Sequence, residues 1–312
     1  MKGMELCRTY FEEYGRPMIE KQFGAYKEHI AAGLVGEGSE CMGFDDELSK
    51  DHDFGPGFCI WLPQDIYNQT GMQMQQAYDA LPRMWHGIER IQTPQGGGRV
   101  GVFSIEEFYQ RYTGLPCAPK DNMEWFRIPQ SFLAKAVNGQ VFCDHPGFFT
   151  EIRNTILGFY PGDVLKKKLA AKAVIMAQSG QYNYPRSMKR GDFCAAYMAC
   201  CEFVKTALSA IHLLNERYMP FYKWAFKSAE AFTILGGAAA QLRELVALPD
   251  IVENRSRKEW IIENICIEIG REFNRRGFTL TTESFLQSHG EEMMRSISDS
   301  RLRNLHIMVD ND

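Results

Sequence analysis

Apolar residues change their spacing near Tyr160-Pro161-Gly162-Asp163, and that change divides the chain. Before it, short apolar runs flanked by glycine and proline alternate with stretches of helical period; after it, nearly every segment repeats its apolar positions at three- and four-residue steps. The first part reads as a helix from about Glu5 to Tyr26, then strands at Gly33–Val35, Asp53–Leu62, Gly98–Ser104 and Gln140–Asp144 with helical segments between them. Strands alternating with helices predict an α/β or α+β domain over residues 1–158.

Helical spacing then covers about 163–177, 192–218, 222–231, 238–247, 258–275 and 282–297, broken at Gly236-Gly237, Pro249 and Gly277, which predicts a helical domain over 159–312. Phe193, Tyr197, Cys200, Val204, Leu208 and Ile211 form one stripe and are expected to face a core. The whole is an α+β protein, a sheet domain followed by a helical bundle.

Composition narrows this picture. A chain of 312 residues with 45% hydrophobic and 24% charged residues suits two folded domains and excludes a disordered or fibrous protein. A net charge of -4 gives no global field for nucleic acid or an anionic membrane, although a local basic groove stays open. Nine cysteines without a CxxC pair read as reduced thiols of a cytoplasmic protein. The first residues lack an apolar signal core, and the longest uncharged apolar run, about Phe232 to Ala240, is too short to span a bilayer.

The stretch from Gly36 to Pro56 carries the chemistry. Gly38 and Ser39 follow the apolar Leu34-Val35, so a strand would end in a tight turn whose amides and hydroxyl can face a phosphate. Asp51 and Asp53 stand two apart before the run Phe58-Cys59-Ile60-Trp61-Leu62, so on a strand both carboxylates would leave the same face. Hard oxygen donors at that spacing suit Mg²⁺ shared with substrate phosphates. The stretch between Ser39 and Asp51 is long enough for a helical turn and a return to a neighbouring strand. The phosphate turn and the acidic pair are therefore expected side by side.

With these residues the sequence resembles the nucleotidyltransferase superfamily typified by DNA polymerase beta and the aminoglycoside nucleotidyltransferases. Gly38, Ser39, Asp51 and Asp53 match its hallmark, and Ser49 before the acidic pair is also usual there. The fuller string from Gly38 to Pro56 looks like a bacterial branch described mostly as a domain of unknown function. Val141-Phe142-Cys143-Asp144 is similar to the strand that closes the catalytic domain in antibiotic-modifying members, and Lys189-Arg190-Gly191-Asp192 and Leu214–Trp224 are similar to their helical domain.

The resemblance implies transfer of a nucleoside monophosphate, first AMP from ATP, or from another nucleoside triphosphate, to a small hydroxylated acceptor with release of pyrophosphate. Asp51 and Asp53 would hold Mg²⁺ and carry catalysis, Gly38 and Ser39 would hold the outer phosphates, and a cleft between the domains would take the acceptor. The acidic loop and net charge oppose a tRNA-like acceptor. A homodimer stays open, since some similar transferases share one active site between two chains. One departure is plain: the third acid usual on a later strand is missing from Arg99–Ser104, where Gly101 and Phe103 stand. Glu106 or Glu107 substitutes from the strand end, or the helical domain supplies the base, with Asp192 the candidate there, or catalysis is lost and the protein is a nucleotide-binding regulatory or toxin–antitoxin module.

Other residues carry bland and functional readings together. Asp45-Asp46 reads as a solvated helix end or a contact for a cationic substrate, and His52 as a packed histidine, with no zinc pattern among the other six. Asp192 is a helix N-cap or faces substrate. Lys223 and Trp224 follow Tyr218, Pro220 and Tyr222 in an aromatic cluster; Lys223 either contacts a phosphate or stays structural. Lys166-Lys167-Lys168 reads as an exposed helix face, and Gly96-Gly97-Gly98 as a hairpin connection.

Overall fold

The computed structural model describes residues 1–50, 54–90 and 98–312. It divides into two units, Met1–Pro119 with Phe132–Gly158, and Lys120–Ser131 with Phe159–Asp312. The architecture is α+β, and the segment 120–131 packs with the second unit.

In the first unit the opening helical stretch forms in pieces: α1 (Gly3–Tyr10), a π turn at Phe11–Gly15, α2 (Arg16–Gln22) and a 3-10 turn at Gly24–His29. Pro17 explains the break, because it lacks the N–H that would donate back one turn and the ladder widens ahead of it. Then come β1 (Ala31–Leu34), the short α3 (Ser39–Met42), β2 (Cys59–Leu62), α4 (Gln64–Asp79), a hairpin of β3 (Met84–Trp85) and β4 (Ile88–Glu89), β5 (Gly101–Ser104) and α5 (Ile105–Thr113). After α6 (Asn122–Arg127) of the second unit follow α7 (Gln130–Val137), β6 (Gln140–Asp144) and α8 (Phe148–Leu157).

The longer strands make one mixed sheet ordered β5-β2-β1-β6, with β1 antiparallel to β2 and β6, and β2 parallel to β5. Strand alternation sends Ala32, Ile60, Leu62 and Val102 to one face, where they pack with Tyr10 of α1 and Tyr78 of α4. Trp61 goes to the other face and stacks on Phe149 of α8 at 3.9 Å, with Phe108 of α5 edge-on at 5.3 Å. Helices thus cover both faces. The strand expected over Asp53–Leu62 begins only at Cys59. Gly55-Pro56-Gly57 precludes earlier pairing, since proline offers no ladder donor and glycine no side chain to pack.

The second unit is helical: α9 (Gly162–Met176), α10 (Tyr184–Arg190), α11 (Phe193–Leu214), α12 (Tyr222–Ser228), α13 (Gly236–Ala247), α14 (Arg255–Arg275), α15 (Leu286–Arg295) and α16 (Ser300–Arg303). Among the described residues α11 alone is long and apolar enough to cross a membrane by length and composition, and 56% of its apolar window is buried within the protein. Its expected core stripe divides: Cys200, Val204, Leu208 and Ile211 are buried, whereas Phe193 and Tyr197 are exposed.

α9 is surrounded by α6, α11 and α15 and is buried on nearly every side. This overturns the reading of Lys166–Lys168 as an exposed face, because Lys167 and Lys168 are fully buried and Lys172 nearly so. Their partners come from the segment Ile307–Asp312. Lys167 Nζ donates to the carbonyls of Ile307 and Val309 at 3.0 and 2.5 Å, and Lys168 Nζ donates to Asp310 O at 2.9 Å. Lys172 pairs with Asp310 and, at 3.0 Å, with Asp312. Burial pushes Lys167 down to about 8 despite the nearby Asp310. Burial alone would raise the Asp312 carboxyl, but Lys168, Lys172 and Gln130 together hold it well below the usual carboxylate range.

Candidate functional site

The site is built where β1 leaves the sheet. Asn138, just after α7, treats Gly36 as a strand partner: its Oδ1 accepts from Gly36 N at 2.7 Å and its Nδ2 donates to Gly36 O at 2.7 Å. Gly139 N then donates to Cys41 O at 2.8 Å, tying α3 to the same connection. Between these anchors Gly38 has φ +113, a conformation that side chains disfavour. A Cβ there would lie 2.5 Å from Glu40 Oε2 and 2.6 Å from Arg99 Nη2. Glycine therefore lets the Arg99–Glu40 ion pair close directly over the turn.

Two cations meet this turn. Arg99, partly buried beside the buried Glu40, also donates from Nε to Glu37 O at 2.9 Å, and Lys135 of α7 pairs with Glu37 Oε1 at 2.9 Å. Burial lowers the Arg99 guanidinium from its ordinary value without removing its charge in the physiological range. Ser39 opens α3, and its hydroxyl has no protein partner among the described residues. Glu40 and Glu37 offset the charges of Arg99 and Lys135, so what the arrangement offers an oxyanion or phosphate is the glycine cradle and the Ser39 hydroxyl. The nearby thiols are inert: burial raises Cys41 well above its ordinary value and pushes Cys59 up to about 12.

Asp51, Asp53 and His52 lie outside the described residues, as do Gly96 and Gly97. Among the described residues no group of three or more His, Cys, Asp or Glu could hold a metal ion. Asp45 is engaged structurally, its Oδ2 accepting from Gly3 N at 2.9 Å at the start of α1, and Asp46 caps the turn at Ser49. Asp144 likewise caps α8, accepting from Gly147 N at 2.9 Å and Thr150 N at 2.7 Å.

The strand register locates the missing acid. Gly33 pairs with Cys59 and Cys59 with Gly101, so Gly101 lies at the sheet end from which the Gly38–Ser39 turn emerges. Gly101 has φ +130, and a Cβ would meet Gln75 Oε1 at 2.7 Å, the atom that accepts from Val102 N. A side chain there would be strained by the backbone and would have to displace the end of Gln75. Ser104 pairs with Leu62 at the opposite end and caps α5, which carries Glu106 and Glu107 in its first turn. Glu106 Oε2 is buried without a hydrogen-bond partner among the described residues. Glu106 and the Gly38–Ser39 turn thus occupy opposite ends of the sheet.

Asp192 and Lys223 belong to the second unit. Asp192 is exposed and caps α11, accepting from Ala195 N at 3.0 Å; Lys223 is exposed on α12 with Nζ 5.3 Å from the Trp224 ring centre. The expected aromatic cluster separates there, since Tyr218 is buried against Phe159 and Tyr160 while Tyr222 faces outward. Sequence reasoning missed Arg99, Lys135 and Asn138 as parts of the site, because tertiary pairing alone brings them to the turn.

An α+β protein with a glycine cradle at the end of its first strand is the class that fold and geometry define. Residues 125–225 match the profile of DUF4037, described as a domain of unknown function, over less than half of the chain. Among curated proteins none matches the chain.

Proposed function

We propose that this chain is a Mg²⁺-dependent nucleotidyltransferase that moves a nucleoside monophosphate, AMP from ATP in the first instance, onto a hydroxyl of a small molecule. The observation that carries the reading is the Gly36–Ser39 turn after β1, which brings a glycine cradle and an unpartnered hydroxyl together and is held by Arg99 through Glu40 and the Glu37 carbonyl. In keeping with it, the DUF4037 family whose model matches residues 125–225 is known as nucleotidyltransferase-like.

In this reaction the acceptor oxygen bonds to the α-phosphorus, the bond between α- and β-phosphates breaks, pyrophosphate leaves, and the hydroxyl proton passes to base or solvent. Gly38 and Ser39 hold the outer phosphates through the amide and hydroxyl, and Arg99 keeps the turn in place. Asp51 and Asp53 supply the paired hard oxygens that Mg²⁺ takes, and the ion when bound neutralises charge on the phosphates. Such catalysis is mainly positioning and electrostatics.

Gly101 favours a second reading, a nucleotide-binding regulatory or toxin–antitoxin module without turnover, since a glycine at positive φ stands where a third acid is usual. Calorimetry of ATP, GTP, CTP and UTP with Mg²⁺, on wild type and an Asp51→Asn/Asp53→Asn variant, tests the site; pyrophosphate release over an acceptor screen separates the readings. Binding lost in the variant together with release by wild type supports transfer. Binding without release favours the second reading, and no triphosphate binding by wild type rejects both.

A further inference from the structure

Exposed rings of the second unit gather at one place. Tyr197, in the first turns of α11, is 63% exposed, and Tyr222, where α12 begins, is 75% exposed. With Met198, Met219, Pro220 and Phe221 they line a cleft of about 630 Å³, a size that suits a small molecule. The stripe of α11 that packs inward at Cys200 and Val204 turns outward at Phe193 and Tyr197, so the exposure is confined to the helix end beside this cleft.

The polar floor of the cleft is already committed. Gln130 donates from Nε2 to Ser209 Oγ at 2.7 Å and to Asp312 Oδ2 at 2.6 Å, and its Oε1 accepts from Met219 N at 3.1 Å. Asp312 is in turn paired with Lys168 and Lys172 at 3.3 and 3.0 Å. What remains for a ligand is a wall of aromatic and thioether groups with Glu202 and Lys205 beside it, and neither of these charges has a hydrogen bond or ion pair among the described residues. Ring faces favour a flat π-system, and a fixed floor limits how the ligand can sit.

We propose that this cleft binds a small molecule carrying a flat aromatic ring, which stacks on Tyr197 and Tyr222 and places its polar end at Glu202 or Lys205. The residues that line it are not those of the Gly38–Ser39 turn, and the proposal does not rest on the transferase reading. Two sources share the ring chemistry, a nucleobase and the ring of a non-nucleotide ligand. The full chain is titrated calorimetrically with adenosine, tryptamine and indole-3-propionate, and the titrations are repeated with Tyr197→Ala, Tyr222→Ala and, as a control, Tyr182→Ala, another exposed tyrosine outside the cleft. At least one probe is expected to bind wild type and the Tyr182→Ala control equally, and to bind Tyr197→Ala and Tyr222→Ala about tenfold more weakly. Preference for adenosine identifies a nucleobase, whereas preference for either indole identifies a non-nucleotide ring. Absence of binding by all three probes, or affinity unchanged in both cleft variants, overturns the proposal.

Discussion

Arg99 Nε donates to the backbone carbonyl of Glu37 at 2.9 Å while the same guanidinium pairs with buried Glu40, so one side chain fixes both ends of the Gly38 turn. Removing one member of a buried pair leaves the other uncompensated, and Arg99→Ala is expected to destabilise the first unit by about 3–5 kcal/mol. Arg99→Lys retains the charge but not the planar fork that reaches both partners, and should lose Mg-nucleotide affinity with a smaller stability cost. Urea unfolding and calorimetry check this. An unchanged unfolding midpoint and an unchanged affinity in both variants would remove Arg99 from the site.

Gly38→Ala tests the cradle itself. Its φ of +113 places it in a glycine region that costs other residues about 1–3 kcal/mol, and the new methyl would meet Arg99 and Glu40. Gly43 at the other end of α3 is the control, because its φ of +72 is the left-handed region and nothing lies within 4 Å of a Cβ. Gly43→Ala should cost about 1–2 kcal/mol and leave nucleotide affinity intact, while Gly38→Ala loses affinity. Equal effects of the two substitutions would show that the close approach at Gly38 is unimportant.

Legibility follows the range of the interactions. The four sheet strands were visible because apolar runs bounded by glycine and proline are local signals, as at Cys59–Leu62, but their ends were not: two begin only at Cys59 and Gly101, and the first runs Ala31–Leu34 instead of Gly33–Val35. The glycine of the turn was visible for the same reason. Arg99, Lys135 and Asn138 were not, because sheet pairing brings them to residues about 60 to 100 positions away. Lys167 and Lys168 misled because a local lysine run predicts solvent, whereas the partners that permit burial, Asp310 and Asp312, lie about 140 residues later. Phe193 and Tyr197 misled in the opposite sense, since helical period marks a face but not where along the helix its cover ends.

Glu106→Gln separates two accounts of the missing acid. Register places Glu106 at the end of the sheet opposite the Gly38–Ser39 turn, so the variant should keep both Mg-nucleotide affinity and any pyrophosphate release that wild type shows. Asp53→Asn, assayed alongside, should lose both. Loss of release in Glu106→Gln at wild-type stability and affinity would return Glu106 to the chemistry and refute the argument from register.

The Lys168–Lys172–Asp312 cluster makes the second unit acid-sensitive in a definite direction. Asp312 is held below its ordinary carboxylate value when folded, so its contribution is present above the unfolded value of about 3.9 and is lost as pH falls through the folded one. Asp312→Asn should therefore lower stability at pH 7 by about 3–5 kcal/mol and flatten the acid limb of the stability curve. Lys167 acts in the same sense on the alkaline side. Its folded value of about 8 lies below the unfolded value of 10.5, so the unfolded chain binds more protons between them and the Lys167 contribution grows as pH rises through that window. Denaturant unfolding at pH 3, 5, 7 and 9.5, on wild type, Asp312→Asn and Lys167→Met, resolves the two limbs. Parallel curves for wild type and Asp312→Asn below pH 5 would show that the aspartate is not held ionised by the buried lysines.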